Sequence, residues 1–137
     1  MPSWPRDTAE QRLAAARVGR LATVTPRGRP HVVPVCFALH DGRIFTAVDA
    51  KPKATRALAR LENVRATGRA SLLVDHYDED WRKLWWVRVD GAAEVLESDR
   101  AVDALAAKYP QYRAERPAGP LIAIAPERWR SWVASEP

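Results

Sequence analysis

The stretch Arg43–Leu61, RIFTAVDAKPKATRALARL, changes from a strand pattern to a helix pattern within a few residues. Residues 43–48 are β-formers or small residues in a short apolar run, which predicts a strand. Pro52 cannot continue a β-ladder, but it fits at the start of a helix. From Lys53 to Leu61, apolar residues recur at i, i+3, i+4 and i+7, as in an amphipathic helix. The basic residues of this helix form a second stripe: Lys53, Arg56 and Arg60.

The lysines at the start of this helix indicate an anion site. A helix N-terminus carries a partial positive charge, so Lys51 and Lys53 destabilise an empty helix slightly. A bound phosphate or carboxylate makes the electrostatic contribution of the lysines favourable, because the free N–H groups, the dipole and the lysines then face one anion. The alternative is a solvated basic face beside a core-facing stripe, and this stretch alone does not decide between the two.

Length and composition predict one soluble globular domain over residues 1–137. The net charge of +5 weakly favours acidic ligands. Cys36 is the single cysteine, which excludes an internal disulfide and a CxxC metal site. No apolar run approaches about 18 residues, and residues 1–5 do not resemble a signal peptide, so we expect a cytoplasmic protein. Six tryptophans suggest a flat ligand or a large interface.

Alternation and turn residues predict six strands, the first three forming an antiparallel meander. Pro34 indicates an edge strand or a bulge, Asp41-Gly42 a hairpin turn, and Gly91 a bulge. The predicted strands are residues 21–25, 31–39, 43–48, 70–77, 85–96 and 121–125.

Three helices are predicted between these strands. Asp7 resembles the first residue of a capping box for a helix over about Thr8–Arg17. The second is the basic helix above, followed by a connector over Asn63–Gly68. Ser98 is predicted to cap a third helix that ends at Tyr109, before a loop over Pro110–Pro120. Strands joined as hairpins with few helices predict a small antiparallel barrel of the α+β class.

Catalytic side-chain motifs are absent from the sequence. His31, His40 and His76 are too far apart for metal-ligand spacing, so no metal site is predicted. There is no nucleophile elbow, no phosphate-binding loop and no dinucleotide fingerprint. An enzyme with this sequence would depend on a cofactor for its reactive group. Hydride transfer is a reaction of this kind, because the cofactor carries the hydride. No catalytic residue is named.

Several segments, in this order and spacing, resemble the pyridoxamine 5′-phosphate oxidase-like family. They are Gly19–Val24, Gly28–Val35, Asp41–Gly42, Lys51–Lys53 leading into Leu58, and Trp81–Gly91. The resemblance is greatest to the subgroup of probable coenzyme F420-dependent enzymes, F420 being a deazaflavin. It implies a mainly β fold with α (α+β), a six-stranded antiparallel split β-barrel of the FMN-binding type with flanking helices. It also implies a homodimer with two flavin or deazaflavin sites between the subunits.

The resemblance also implies which residues bind the cofactor. Lys51, Lys53 and Arg56 would hold its phosphate, in agreement with the anion site argued above. The segment Tyr77–Trp86, which includes Trp85, would close the groove from the partner subunit. The ring would lie along the residues Val33, Pro34, Val35, Ala47 and Val48.

The first functional hypothesis is an F420-dependent oxidoreductase that exchanges a hydride with a small unsaturated or quinone-like substrate. An FMN-binding reductase, or a non-catalytic carrier of flavin or haem on the same fold, are the alternatives. A basic barrel that stacks single-stranded nucleic acid on tryptophans is a further class. The tryptophans sit in one cluster and at the termini and do not alternate with Lys and Arg, so neither nucleic acid nor membrane is an expected partner.

Overall fold

Seven antiparallel strands form one sheet in the computed structural model, which describes residues 2–48, 55–97 and 100–135. The strands are β1 (Gly19–Val24), β2 (Pro30–Val35), β3 (Ala38–His40), β4 (Arg43–Ala47), β5 (Arg69–His76), β6 (Trp85–Leu96) and β7 (Leu121–Val133). The helices are α1 (Arg6–Ala15), α2 (Thr55–Thr67), α3 (Ala101–Lys108) and α4 (Pro110–Ala114), with a 3₁₀ turn at Trp81–Lys83.

The strand order requires the sheet to curl. β2 and β3 stand at opposite ends of the order β2-β1-β5-β6-β7-β4-β3, yet only Cys36 and Phe37 separate them in the chain. A flat sheet of this width would hold its outer strands about 29 Å apart, whereas three Cα steps span at most about 11 Å. The sheet is therefore a curled half-barrel, and the predicted antiparallel split-barrel α+β class is confirmed.

Strand pairing corrects three sequence predictions. There are seven strands and not six, because the predicted strand 31–39 is divided where the chain crosses between sheet edges at Cys36–Phe37. The predicted three-strand meander is corrected in part: β1 pairs with β2 and β3 pairs with β4, as predicted, but the two pairs lie at opposite ends of the strand order. The last strand continues to Val133 because β6 offers a partner along its whole length. Pro126 is tolerated there because it lies opposite Gly91 at a register shift.

Four local predictions about the strands are confirmed. β6 has the predicted bounds, and the register shift between Asp90 and Gly91 is the predicted bulge. The β3–β4 hairpin turns at Asp41 (φ 50°) and Gly42 (φ 77°), and two positive φ values are typical of a type I′ turn. β2, which contains Pro34, is an edge strand.

The helices differ from prediction mainly at their ends. α1 begins at Arg6 after Pro5 and has no side-chain cap, so Asp7 lies within its first turn and the predicted capping box is wrong. The predicted connector Asn63–Gly68 is mostly the last part of α2. Its helical bonding continues because the Asn63 amide donates to the Thr23 hydroxyl, 3.1 Å away. Gly68 (φ 68°) then ends the helix.

The third predicted helix and the following loop are corrected in part. Ser98 lies outside the described residues, and α3 begins at Ala101. The predicted loop 110–120 contains α4, which has Pro110 in its first turn.

The core consists of two apolar clusters, which lie on opposite faces of β4 and β7 because they use alternate residues of these strands. The larger one joins α1, α2 and the inner faces of β1, β2, β5 and β6, and contains Leu13, Leu21, Val64 and Leu72. The smaller one packs α3 against β4 and β7, through Leu105 and Leu121. No helix in the described ranges is long and apolar enough to cross a membrane.

Candidate functional site

The strand predicted to carry the cofactor ring, β2, alternates between the core and the surface. Val33 and Val35 are 8% and 6% exposed and belong to the larger core cluster, whereas Pro34 is exposed. β2 pairs only with β1, so one side of its backbone has no partner strand among the described residues. A ligand on β2 would therefore meet backbone groups and Pro34, and would not touch the valine side chains.

The two predicted ring residues at the end of β4 are also buried. Ala47 is 5% exposed and Val48 is 8% exposed. Val48 shares the larger cluster with Val33 and Val35, whereas Ala47 belongs to the smaller one. The structure thus brings β2 and the end of β4 together through a common core.

The predicted phosphate residues stay a prediction. Lys51 and Lys53 lie outside the described residues. Arg56 lies in the first turn of α2, but its side chain is also outside the description.

The end of α3 covers the crossing from β2 to β3. The Tyr109 hydroxyl accepts from the Phe37 N–H at 3.1 Å and lies 3.0 Å from the carbonyl oxygens of Phe37 and Arg17. The Lys108 ammonium donates to the Phe37 carbonyl at 3.0 Å and lies 3.9 Å from the centre of its ring. These contacts fix the backbone immediately after Val35, and nothing in the sequence pattern predicted them.

Burial shifts the pKa values of both Lys108 and Tyr109. It is the main reason why the pKa of Lys108 falls to about 8, and the nearby Arg17 charge lowers it further. Burial also raises the pKa of Tyr109, although its hydrogen bond to the Phe37 backbone opposes that shift. Lys108 therefore carries a partly neutral amine near pH 8.

The open side of β2 suits a planar ligand. A ring whose edge alternates N–H and carbonyl groups would complement the unpaired backbone groups of an edge strand. His31, also on β2, has a buried Nδ1 without a hydrogen-bond partner among the described residues, which leaves one more polar atom for a ligand. No three His, Cys, Asp or Glu side chains in the described ranges could hold a metal ion.

Trp85 is far from the end of β4 within one protomer. Ala47 pairs with Leu121, which pairs with Leu96 at the end of β6. Trp85 starts β6 and pairs with Val133. The two ends of this strand are about 35 Å apart, so Trp85 does not contact Ala47.

Trp85 instead borders a cavity of about 280 Å³ at the other end of the sheet. Its ring centroid lies 5.3 Å from that of Trp4 and 6.1 Å from that of His76, the latter nearly parallel. Arg12 of α1 lies 5.0 Å from the Trp4 ring and 5.9 Å from the Trp85 ring. The complete lining is Trp4, Arg12, His76, Arg82, Lys83, Trp85, Val133 and Ser135.

Sequence reasoning missed Trp4 and Arg12 as site residues. The helical pattern placed Ala9 and Leu13 inward, and both are buried. Arg12 lies next to Leu13 in the chain, so its guanidinium can reach across the tryptophan rings from the edge of the buried face. The signal that could have found it is a tryptophan just before the helix.

The outer face of the sheet carries a wider groove of about 510 Å³ along β1, β5 and β6. Asp90 lies on this groove, where it accepts from the Ser71 hydroxyl at 2.7 Å and from Arg88 at 2.9 Å. Burial alone would raise the pKa of Asp90, but the two hydrogen bonds together with the charges of Arg88 and Arg128 outweigh it and lower that pKa. A carboxylate that stays ionised and paired is a structural anchor and a poor proton donor.

Comparisons with known proteins agree with this geometry. The sequence profile of the family described as pyridoxamine 5′-phosphate oxidase matches residues 5–133. A conserved hypothetical protein of Mycobacterium tuberculosis is similar in structure, with a TM-score of 0.77 and 24% identity, over 96% of this chain and 86% of that chain. An FAD-binding protein of Mesorhizobium loti has a TM-score of 0.72 and 24% identity, over 95% of both chains.

A haem-binding protein of Mycobacterium smegmatis is also similar, with a TM-score of 0.70 and 22% identity. The likeness covers 98% of this chain and 56% of that protein. No curated protein matches the sequence at a significant level.

Proposed function

Because the chain belongs to the pyridoxamine 5′-phosphate oxidase family, we propose that it binds a flavin-type cofactor and acts as an oxidoreductase. Coenzyme F420 is the first candidate and FMN the alternative, on the strength of the sequence resemblance in segments such as Trp81–Gly91. When bound, such a cofactor supplies the hydride acceptor or donor. The proposed substrate is small and unsaturated or quinone-like.

The observation that carries this proposal is the open edge of β2. Its backbone is held rigid on one side by β1 and at its end by Tyr109 and Lys108, so its free side is preorganised. Such an edge binds a planar ring with alternating donors and acceptors favourably, because the backbone loses little conformational entropy on binding. The protein's own contribution is then to bind and orient the ring.

The phosphate would bind at the start of α2, which directly follows β4 in the chain. Lys51 and Lys53 add charge to the helix N-terminus, where free N–H groups and the dipole favour an anion. Arg56 would lie one turn further along.

We propose a homodimer because the outer face of β1 and β2 is apolar. Val24 is 44% exposed and Val32 is 60% exposed, and Val32 pairs with Ala22 on the same face. An open edge beside such a face is poorly tolerated in a monomer. A second subunit would cover it, and could bring its own Trp85 to the β2 groove.

Non-catalytic carriage of flavin or haem is the second candidate. Of the residues predicted to lie along the ring, only Pro34 is exposed, and none of them has an acidic or basic group. One of the similar structures is a haem-binding protein. His31 would be the candidate residue to hold the haem iron, because its Nδ1 has no partner in the described part of the chain.

The absorption spectrum of the purified protein, followed by titration with FMN, FAD, F420 and haemin, separates these candidates. We expect saturable binding of a flavin or deazaflavin at micromolar concentration, and reduction of the bound cofactor by a hydride donor. Tight binding of haemin alone would replace the oxidoreductase proposal with the carrier.

A further inference from the structure

We propose that the cavity between Trp4 and Trp85 binds a single-ring aromatic carboxylate, with the ring against the two indoles and the carboxylate held by Arg12 and Lys83. This goes beyond the proposed function and requires no flavin. The evidence consists of the shape of the cavity, its aromatic walls and its charges.

The cavity has room for one aromatic ring with a small substituent. Its volume of about 280 Å³ equals the share of roughly nine water molecules in the liquid, which exceeds the volume of such a ring. Trp4 and Trp85 are tilted at 56° to one another, so they form two walls and not a closed stack. His76 lies parallel to Trp85 and extends the aromatic wall.

The walls are held in place by the backbone. The Trp4 N–H donates to the Ser131 hydroxyl at 3.0 Å, and the Val133 N–H donates to the Pro2 carbonyl at 3.2 Å. The Ala134 N–H donates to the Leu84 carbonyl at 3.0 Å. Residues from both ends of the chain and from the 3₁₀ turn are thereby fixed around the opening, which lowers the cost of binding.

The cavity has cationic groups without carboxylate partners. Arg82 is paired with Asp80 by two hydrogen bonds, and this lowers the pKa of Asp80. Arg12, by contrast, forms no ion pair with any described residue, and stacking on the indoles leaves its N–H edge available. Lys83 forms no side-chain hydrogen bond within the described ranges, and its charge acts on the Asp80 carboxylate only at longer range. Two cations beside an aromatic surface favour a planar anion.

Arg6 provides an internal comparison on the same helix. Its guanidinium lies 4.5 Å from the Trp129 ring, closer than Arg12 lies to either of its tryptophans, but neither Arg6 nor Trp129 lines this cavity. The contact of Arg6 is thus ordinary packing of α1. Comparing the two arginines separates a binding role from a packing role.

The test is titration of the full-length, flavin-free protein with benzoate, followed by quenching of tryptophan fluorescence. We expect saturable binding with a Kd of about 1 mM or tighter. Benzamide lacks the charge, and cyclohexanecarboxylate and inorganic phosphate lack the aromatic ring, so each should bind at least about tenfold more weakly. Equal binding of any of the three, or no saturable binding of benzoate, would overturn the proposal.

Variants locate the binding. Arg12→Ala should weaken benzoate binding by about tenfold or more, and Arg6→Ala should leave it within about twofold. If Arg12→Ala fails to fold, Lys83→Ala replaces it, because Lys83 is exposed and its loss should weaken binding several-fold without changing the melting temperature. Equal losses for Arg6→Ala and Arg12→Ala, or no loss for Lys83→Ala, would contradict the assignment. Flavin titration of the same variants is a separate readout, so failure here leaves the proposed function untouched.

Discussion

Gly91 is the residue that allows β6 and β7 to approach closely at their register shift. A Cβ atom at this position would fall on the backbone carbonyl oxygen of Ala125 in the neighbouring strand. That close approach is possible only at the bulge, where the β6–β7 register shifts. The alternating pattern of β6 made the bulge predictable from sequence, but the close contact with β7 was not predictable because β7 was predicted to end at residue 125.

We predict that Gly91→Ala destabilises the fold by about 1–3 kcal/mol, because the backbone of β7 must move. Thermal unfolding would measure the loss. Gly28→Ala is the control, since Gly28 has a positive φ of 83° but nothing within 4 Å of its added Cβ. Its cost should be about 1 kcal/mol from backbone conformation alone. A Gly91→Ala protein that melts at the wild-type temperature would contradict the account.

α3 is the element that locks the β2–β3 crossing, although its sequence indicated only an amphipathic helix. Tyr109→Phe would leave the buried Phe37 N–H without its acceptor. We predict a loss of about 1–3 kcal/mol in unfolding free energy, measured by chemical denaturation. Tyr77→Phe, at a tyrosine that is 62% exposed, should change stability by less than about 0.5 kcal/mol. Equal effects would mean that the Tyr109 hydroxyl does not hold α3.

Lys108 makes the stability of the protein depend on pH. Its pKa of about 8 in the folded protein lies below its usual value of 10.5, so between these values the unfolded chain binds more protons. Stability contributed by this group therefore rises as the pH increases through that window. Burial also raises the pKa of Tyr109 above its usual value.

Lys108→Met should remove this rise. We predict that, between about pH 8 and 10.5, the wild type gains stability relative to Lys108→Met. Cys36 and Arg17 also act on Lys108, so both proteins should carry Cys36→Ser to remove the thiol titration. A stability difference that does not change with pH would show that Lys108 keeps its usual pKa.

Elements were predictable from the sequence where their patterns are local. β6 and the Asp41-Gly42 turn need only alternation and turn chemistry, and the predicted bounds of β6 agree with the structure. The division of residues 31–39 and the length of β7 depend on pairing with strands distant in sequence. Pairwise contacts such as Lys108 with Phe37 have no local signature at all.

The whole molecule is predicted to be a dimer of 15.4 kDa chains, with an interface larger than about 2,000 Å². Light scattering at micromolar concentration would give the mass. Val32→Glu should shift the protein towards monomer, because it places a charge on the apolar face of β2. Gln111→Glu, on the exposed side of α4, is the matched control. A monomeric wild type, or an undisturbed Val32→Glu dimer, would argue against this interface.

The central claim is that the start of α2 binds the phosphate of the cofactor. The most direct test is to compare the cofactor affinity of Lys53→Ala with that of Arg65→Ala. Arg65 is exposed near the end of α2, so both changes remove one positive charge from the same region. Titrating each variant with the cofactor that the wild type binds, we predict a loss of about ten- to a hundredfold for Lys53→Ala. The loss for Arg65→Ala should stay within about threefold. Equal affinities of the two variants, or a wild type that binds neither flavin nor deazaflavin, would contradict the account.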